Sequence, residues 1–127
     1  MDLAEARRFA EEWVAGWNSH DLDRIMKHYA DDVVFHSPVA ARLLPGSDGS
    51  LRGKEALRAY WAEGLRHLPD LRFEVVGVYA GIDSVVINYR NQAGQLVNEV
   101  LVFDGDLVVS GWGTYGPEPG SAGDAGA

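Results

Sequence analysis

From Leu71 to Tyr115 the chain is an almost unbroken series of strand-forming runs, Leu71 to Tyr79, Ile82 to Asn91, Gln95 to Asp104 and Leu107 to Tyr115. They are parted only by Ala80-Gly81, Gln92-Ala93-Gly94 and Gly105-Asp106. Connections this short cannot carry a chain back across a sheet, so the runs pair as an antiparallel meander. A sheet of that kind must have at least one face covered by other elements. The cover has to come from the first half of the chain.

There, Leu3, Ala6, Phe9, Ala10, Trp13 and Trp17 recur at helical spacing behind an Asp2/Glu5 capping pair, which predicts a first helix. Asp21 caps a second, short helix carrying Leu22, Ile25, Met26 and Tyr29 and ended by Asp31-Asp32. Val33 to Ser37 reads as a short strand stopped by Pro38, and Val39 to Leu51 as a mobile loop forming a pocket rim. A third helix opens at Gly53, bears Leu57, Tyr60, Trp61, Gly64, Leu65 and Leu68, and ends before Pro69. The expected fold is α+β, with three N-terminal helices packed on a strongly curved, mostly antiparallel sheet. At 127 residues the chain has room for one core, placed in a domain over 1–115. Residues 116–127, rich in Gly, Pro, Ala and Ser, read as a flexible tail.

A net charge of -8 opposes binding to nucleic acid or an anionic membrane face, and Lys and Arg form no run. There is no Cys, no Gly-rich phosphate loop, no basic leader and no apolar stretch of spanning length, so the expectation is a cytoplasmic protein without a nucleotide cofactor. The four His are scattered and predict no metal site. Apolar side chains at Val85, Val86, Ile87, Val100, Leu101 and Val102 fall on both faces of the sheet, which predicts a homodimer.

The segments Trp17-Asn18-Ser19-His20-Asp21-Leu22, Tyr29-Ala30-Asp31-Asp32-Val33-Val34-Phe35 and Arg52-Gly53-Lys54-Glu55-Ala56-Leu57, with this order of elements, resemble the SnoaL-like branch of the nuclear transport factor 2-like superfamily. The resemblance covers residues 3 to 115 and implies a cone-shaped pocket in a cystatin-like α+β barrel. It does not fix the chemistry, because the superfamily includes ketosteroid isomerases, polyketide cyclases, dehydratases, epoxide hydrolases and plain binding domains. On the isomerase pattern the base falls on Ser37, the oxyanion-donating Tyr on Trp13, and the protonated Asp on Glu99. A supporting Tyr falls on Trp61, and another is matched by Tyr29.

Glu99 shares a strand face with Val97, Leu101 and Phe103, but Val100 and Val102 make the other face apolar too, so alternation leaves its direction open. The resemblance turns it inward, where burial would raise its pKa toward that of a general acid. Trp13, Trp17, Trp61 and Trp112, with Phe35 and Leu101, are the expected ligand-lining residues; plain core filling is the competing reading for the Trp residues. Tyr29 is open between packing and chemistry. Ser37 can position or donate but cannot act as a base, and His36 points to the opposite face from it. Arg90 is either exposed or a partner for Glu99; the pair would hint at an epoxide hydrolase. The leading functional expectation is a pocket for a small hydrophobic, cyclic molecule, with cofactor-free acid/base isomerisation, cyclisation or dehydration by Glu99, Tyr29 and Ser37. Its rival is a non-catalytic ligand-binding or dimerisation module.

Overall fold

The computed structural model describes residues 1–118. In chain order the elements are α1 (Leu3–Asn18), α2 (Leu22–Met26), β1 (Tyr29–His36), α3 (Pro38–Leu43), β2 (Ser50–Arg52), α4 (Lys54–His67), β3 (Glu74–Ala80), β4 (Ser84–Arg90), β5 (Leu96–Asp104) and β6 (Leu107–Tyr115). The strands form one curved sheet in the order β2-β1-β6-β5-β4-β3. Every neighbouring pair is antiparallel except β1 and β6, which run parallel. No helix among the described residues is long and apolar enough to cross a membrane.

The meander forms where the turns predicted it. Two expectations for the first half are corrected. Tyr29 is not on the second helix, which ends at Met26; it is the first residue of β1, and Asp31 and Asp32 lie within that strand with exposed side chains. The segment expected as a loop from Val39 to Leu51 holds most of α3 and the start of β2, giving four helices in place of three. Ser37 and Pro38 explain this: the Ser37 hydroxyl accepts from the backbone N–H of Val39 at 3.2 Å and Ala40 at 3.4 Å, and Pro38 occupies the first helical turn. That pair starts a helix as readily as it stops a strand. Gly49 then closes the excursion with φ of 77°, where a Cβ would lie 2.8 Å from the carbonyl oxygen of Ser37.

One face of the sheet is covered by α1, which lies along β3, and α4, which lies along β1. Val85, Ile87 and Tyr89 of β4, Val97, Leu101 and Phe103 of β5, and Val33 and Phe35 of β1 meet Ala6, Ala10, Trp13 and Trp17 of α1 and Leu57 and Trp61 of α4, all buried. Each large side chain so buried contributes about 1.5–3 kcal/mol. The motif after α1 fastens this cover. Asn18 donates its side-chain amide to the Phe73 carbonyl at 2.9 Å and accepts from the Phe73 N–H at 2.7 Å, while the His20 ring contacts the Leu71 carbonyl at 2.8 Å.

The other face is left largely to solvent. Reading across it by register, Ser50, His36, Trp112, Val100, Val86 and Tyr79 form one row from edge to edge. His36 stacks on Trp112 with ring centroids 5.3 Å apart and bonds to the Ser50 hydroxyl at 3.0 Å. Of the tail expected over 116–127, Gly116 is held by β5 through its N–H to the Leu96 carbonyl, and the part from 119 onward lies outside the described residues.

Candidate functional site

Register places Glu99 between Ile87 of β4 and Gly113 of β6, on the covered face. Its side chain is 6% exposed and its partner is the Tyr89 hydroxyl, which donates to Oε1 at 3.2 Å. No cation among the described residues neutralises it: Arg90 lies on the opposite face and donates to the Gly94 carbonyl at 3.2 Å. Burial therefore dominates and pushes the Glu99 pKa up to about 8, the Tyr89 hydrogen bond pulling the other way by less. Near neutral pH the group is mostly a carboxylic acid, able to donate as well as accept.

The same covered interior holds donors without acceptors. The Tyr29 hydroxyl and the indole N–H groups of Trp13 and Trp17 are buried and have no hydrogen-bond partner among the described residues. The Trp13 N–H lies close enough to favour ionisation of Tyr29, but the two do not complete a hydrogen bond of normal geometry. Burial and the nearby Glu99 still hold the Tyr29 and Tyr89 phenols well above their usual range. Buried polar groups are nearly always paired in folded proteins, so the orphaned Tyr29 and Trp13 donors near the Glu99 carboxyl form an incomplete polar site.

Its walls are aromatic. Trp13 packs on Tyr89 at 5.2 Å and on Phe73 at 5.7 Å, Trp17 on Trp61 at 5.0 Å, and Trp61 on Tyr29 at 5.1 Å and Phe35 at 5.4 Å, all between centroids. Leu101 is fully buried one inward position along from Glu99. At the sheet end of β1 lies a second polar group: the phenols of Tyr60 and Tyr115 lie near the Ser37 hydroxyl and the Arg42 guanidinium, and burial raises the pKa of both. Ser37 itself is 6% exposed, and its oxygen is engaged as the cap of α3.

Of the residues singled out in the sequence, Glu99, Tyr29, Trp13, Trp17, Phe35, Trp61 and Leu101 meet on this covered face, with Ser37 at its margin. Trp112 does not. It pairs with Val100 and His36 on the opposite face and is 38% exposed, because inward positions on β6 are Gly111 and Gly113. The expectation that it lines the same site is corrected by that register. Sequence reasoning missed Tyr89, Tyr60, Tyr115 and Phe73. Tyr89 was findable, since it alternates with Val85 and Ile87, and an inward Glu99 needs a donor on the next strand.

The aromatic rings fill much of the interior, and two clefts on the surface lie elsewhere. One of about 380 Å³ is bounded by Asp70, Arg72, Glu74, Arg90, Asn91 and Gln92. The other, of about 260 Å³, lies between the start of α1 and the β5–β6 turn. Neither touches Glu99. Among the described residues no three His, Asp or Glu side chains converge as metal ligands.

A SnoaL-like protein of unknown function from Burkholderia thailandensis is 45% identical, with a TM-score of 0.87, over 92% of this chain and 99% of that one. AclR of Streptomyces galilaeus, a proposed hydroxylase, is 26% identical with a TM-score of 0.72 over 91% of each chain. A protein of cystatin-like fold from Methylobium petroleophilum, 16% identical over 96% of this chain and 84% of that one with a TM-score of 0.71, shares the fold. No curated protein matches the sequence. The profile of the SnoaL-like domain matches residues 10–125. By that match over most of its length, and by the shared fold of a 45% identical protein, the chain belongs to the SnoaL-like domain family.

Proposed function

We propose that the covered face binds a small, hydrophobic, cyclic molecule and presents to it the Glu99 carboxyl in its protonated form. The observation that carries this reading is the set of buried polar groups with nothing to bond: the Tyr29 hydroxyl and the Trp13 indole N–H beside a carboxyl that no cation neutralises. Each orphaned donor costs about 1–3 kcal/mol, which a ligand oxygen accepting from them would recover. Apolar ring walls around few polar groups are what a flat ligand requires. Chemistry open to such a site is proton transfer without a cofactor, in an isomerisation, cyclisation or dehydration, with Glu99 as acid and Tyr29 as donor.

A non-catalytic binding module is the second reading, and Ser37 favours it. Its lone pairs cap α3, so the site has an acid but no evident carbon base. We further propose that the protein works in the cytoplasm as a homodimer, paired through the exposed face that carries Trp112.

Native mass spectrometry of freshly purified protein tests the binding reading: a retained molecule of a few hundred daltons is expected, and its loss in Glu99→Leu. Retention unaffected by Glu99→Leu would show the carboxyl to be outside the binding site. Turnover of the identified molecule would decide between the two readings.

A further inference from the structure

On the open face of the sheet one titratable group stands among neutral ones. His36 is half-buried between β2 and β6, its ring nearly parallel to Trp112 at an interplanar angle of 19° and its Nδ1 3.0 Å from the Ser50 hydroxyl. The chain has a net charge of -8 with 19 Asp and Glu, yet the row through His36 and the rows on either side of it contain no carboxylate. One flanking row presents Asn88, Asn98 and Thr114; the other presents valines and serines and ends at Arg52. Two copies of so acidic a chain repel each other over most of their surface, and this face is where the repulsion is least. A second copy is the occupant it suits. What such an interface cannot hold is a charge on His36. Among the described residues the histidines that form ion pairs are His28 and His67, so no carboxylate comes within salt-bridge reach of His36. Of the elements packed against it, β2 brings Ser50 and Arg52 and is entered from a turn bearing Asp48, β6 brings Ser110, Trp112 and Thr114, and α4 lies on the other face. Arg42 of α3 lies near the Tyr60 and Tyr115 phenols, and the next charge along β1 is Asp32, beyond Val34.

We propose that His36 is a pH-sensitive switch of pairing: two copies associate through this face while the imidazole is neutral and part when it is protonated. This rests on the homodimer proposed above and adds its regulation. In the separate subunit a protonated His36 is well kept, since the stack on Trp112 becomes a cation–π contact, the Ser50 hydroxyl accepts from Nδ1–H, and water solvates the rest of the ring. Under a second copy the ring loses that water and gains no carboxylate in exchange, and a buried charge without a partner is costly. The separate state therefore binds more protons than the paired one, and association weakens as pH falls through the range, about 5 to 8, in which histidine gains its charge. Each pair holds two such rings, which steepens the response. The rest of the acidic chain acts in the opposite sense. Its net charge shrinks on acidification, which eases repulsion and would tighten pairing where His36 loosens it.

The test is sedimentation equilibrium of wild type, His36→Phe and His36→Asn at pH 8.0 and 5.5, with near-ultraviolet dichroism to follow the fold. Phe keeps a ring on Trp112, Asn keeps a polar group for Ser50, and neither titrates. Wild type should be paired at pH 8.0 and dissociate at least tenfold more readily at pH 5.5, with its dichroism unchanged. Both variants should pair at pH 8.0 and hold as tightly or more tightly at pH 5.5. Wild-type pairing that is equal or tighter at pH 5.5 would overturn the switch and leave the homodimer standing. A wild-type monomer at both pH values would remove the homodimer, and the switch with it. Acid weakening of the two variants to the same extent as wild type would assign the effect to another group, and loss of pairing by both variants at pH 8.0 would show that the face needs His36 for something other than its lack of charge. Loss of the dichroism at pH 5.5 would mean that acid unfolds the subunit, which also defeats the proposal.

Discussion

A carboxyl that is protonated when folded and ionised when unfolded couples folding to pH, and Glu99 is placed to do this. Its pKa is about 8 in the folded chain against an ordinary 4.5. Below pH 4.5 both states hold the proton and burial is unpenalised. Between 4.5 and 8 the unfolded chain releases it and the folded one does not, so stability falls as pH rises through that window. At about 1.4 kcal/mol per pH unit the loss reaches roughly 3 kcal/mol by pH 7. Glu99→Gln keeps the shape and an acceptor for Tyr89 but has no proton to lose. It should match wild type at pH 4 and exceed it by up to about 3 kcal/mol at pH 7. Urea unfolding at pH 4, 6 and 8 checks this, and a pH-independent difference would refute it. Ser37 leads to a second expectation. Wild type should not isomerise a 5-ene-3-ketosteroid at an enzymatic rate, since loss of a positioned base forfeits about 10² to 10⁴. Ser37→Asp retains an oxygen for the α3 cap, so the fold survives the introduction of a carboxylate. Any gain should appear only in that variant and increase on adding Trp13→Tyr. Wild-type turnover comparable to a working isomerase would contradict the reasoning.

Elements in this chain are joined by side chains that imitate backbone. Asn18 gives and takes a hydrogen bond with Phe73 as a neighbouring strand would, which ties the end of α1 to the approach to β3. Asn18→Ala removes both bonds and leaves the part-buried Phe73 N–H unpaired. A loss of about 2–3 kcal/mol in chemical denaturation is expected; a loss under about 0.5 kcal/mol would mean water replaces the amide. These bonds also explain what the sequence discloses. Alternation and short turns suffice for β3 to β6, and helical spacing for α1 and α4. The segment from Ser37 to Leu51 was misread because Ser-Pro carries both a strand stop and a helix start, and only the packing of Ala40 decides. Tyr29 was misassigned because α2 is barely one turn, so one further apolar residue at helical spacing looks like its continuation. Glu99 shows the limit for the site. With apolar residues on both faces of β5, its direction is set by which face α1 and α4 cover, a property of the tertiary arrangement and not of the strand. The parallel pairing of β1 with β6 leaves no local signal at all.

At the scale of the whole molecule, the sheet has one face under helices and one bearing Trp112, Val100, Val86 and Tyr79 in a row. Tyr79 is 61% and Trp112 38% exposed. A second copy laid face to face would cover this row, as expected from apolar side chains on both sides of the sheet. Sedimentation equilibrium at micromolar concentration should give twice the chain mass. Trp112→Glu should shift the protein to monomer by at least a hundredfold in dissociation constant while leaving near-ultraviolet dichroism of the interior Trp residues intact. A compact wild-type monomer would exclude the arrangement. The parallel seam between β1 and β6 has a further consequence, for the order in which the molecule is made. Of the strands of this sheet β1 leaves the ribosome first, with only β2 following soon to pair with it, and β6, which joins it to the meander, leaves last. Until residues 107–115 are available, Phe35 has no Gly111 to lie on and the helices have half a sheet to cover. Folding of this sheet is thus withheld until β6 has been made, and a nascent chain arrested at Gly105 should remain fully sensitive to protease where one released at Glu118 is protected.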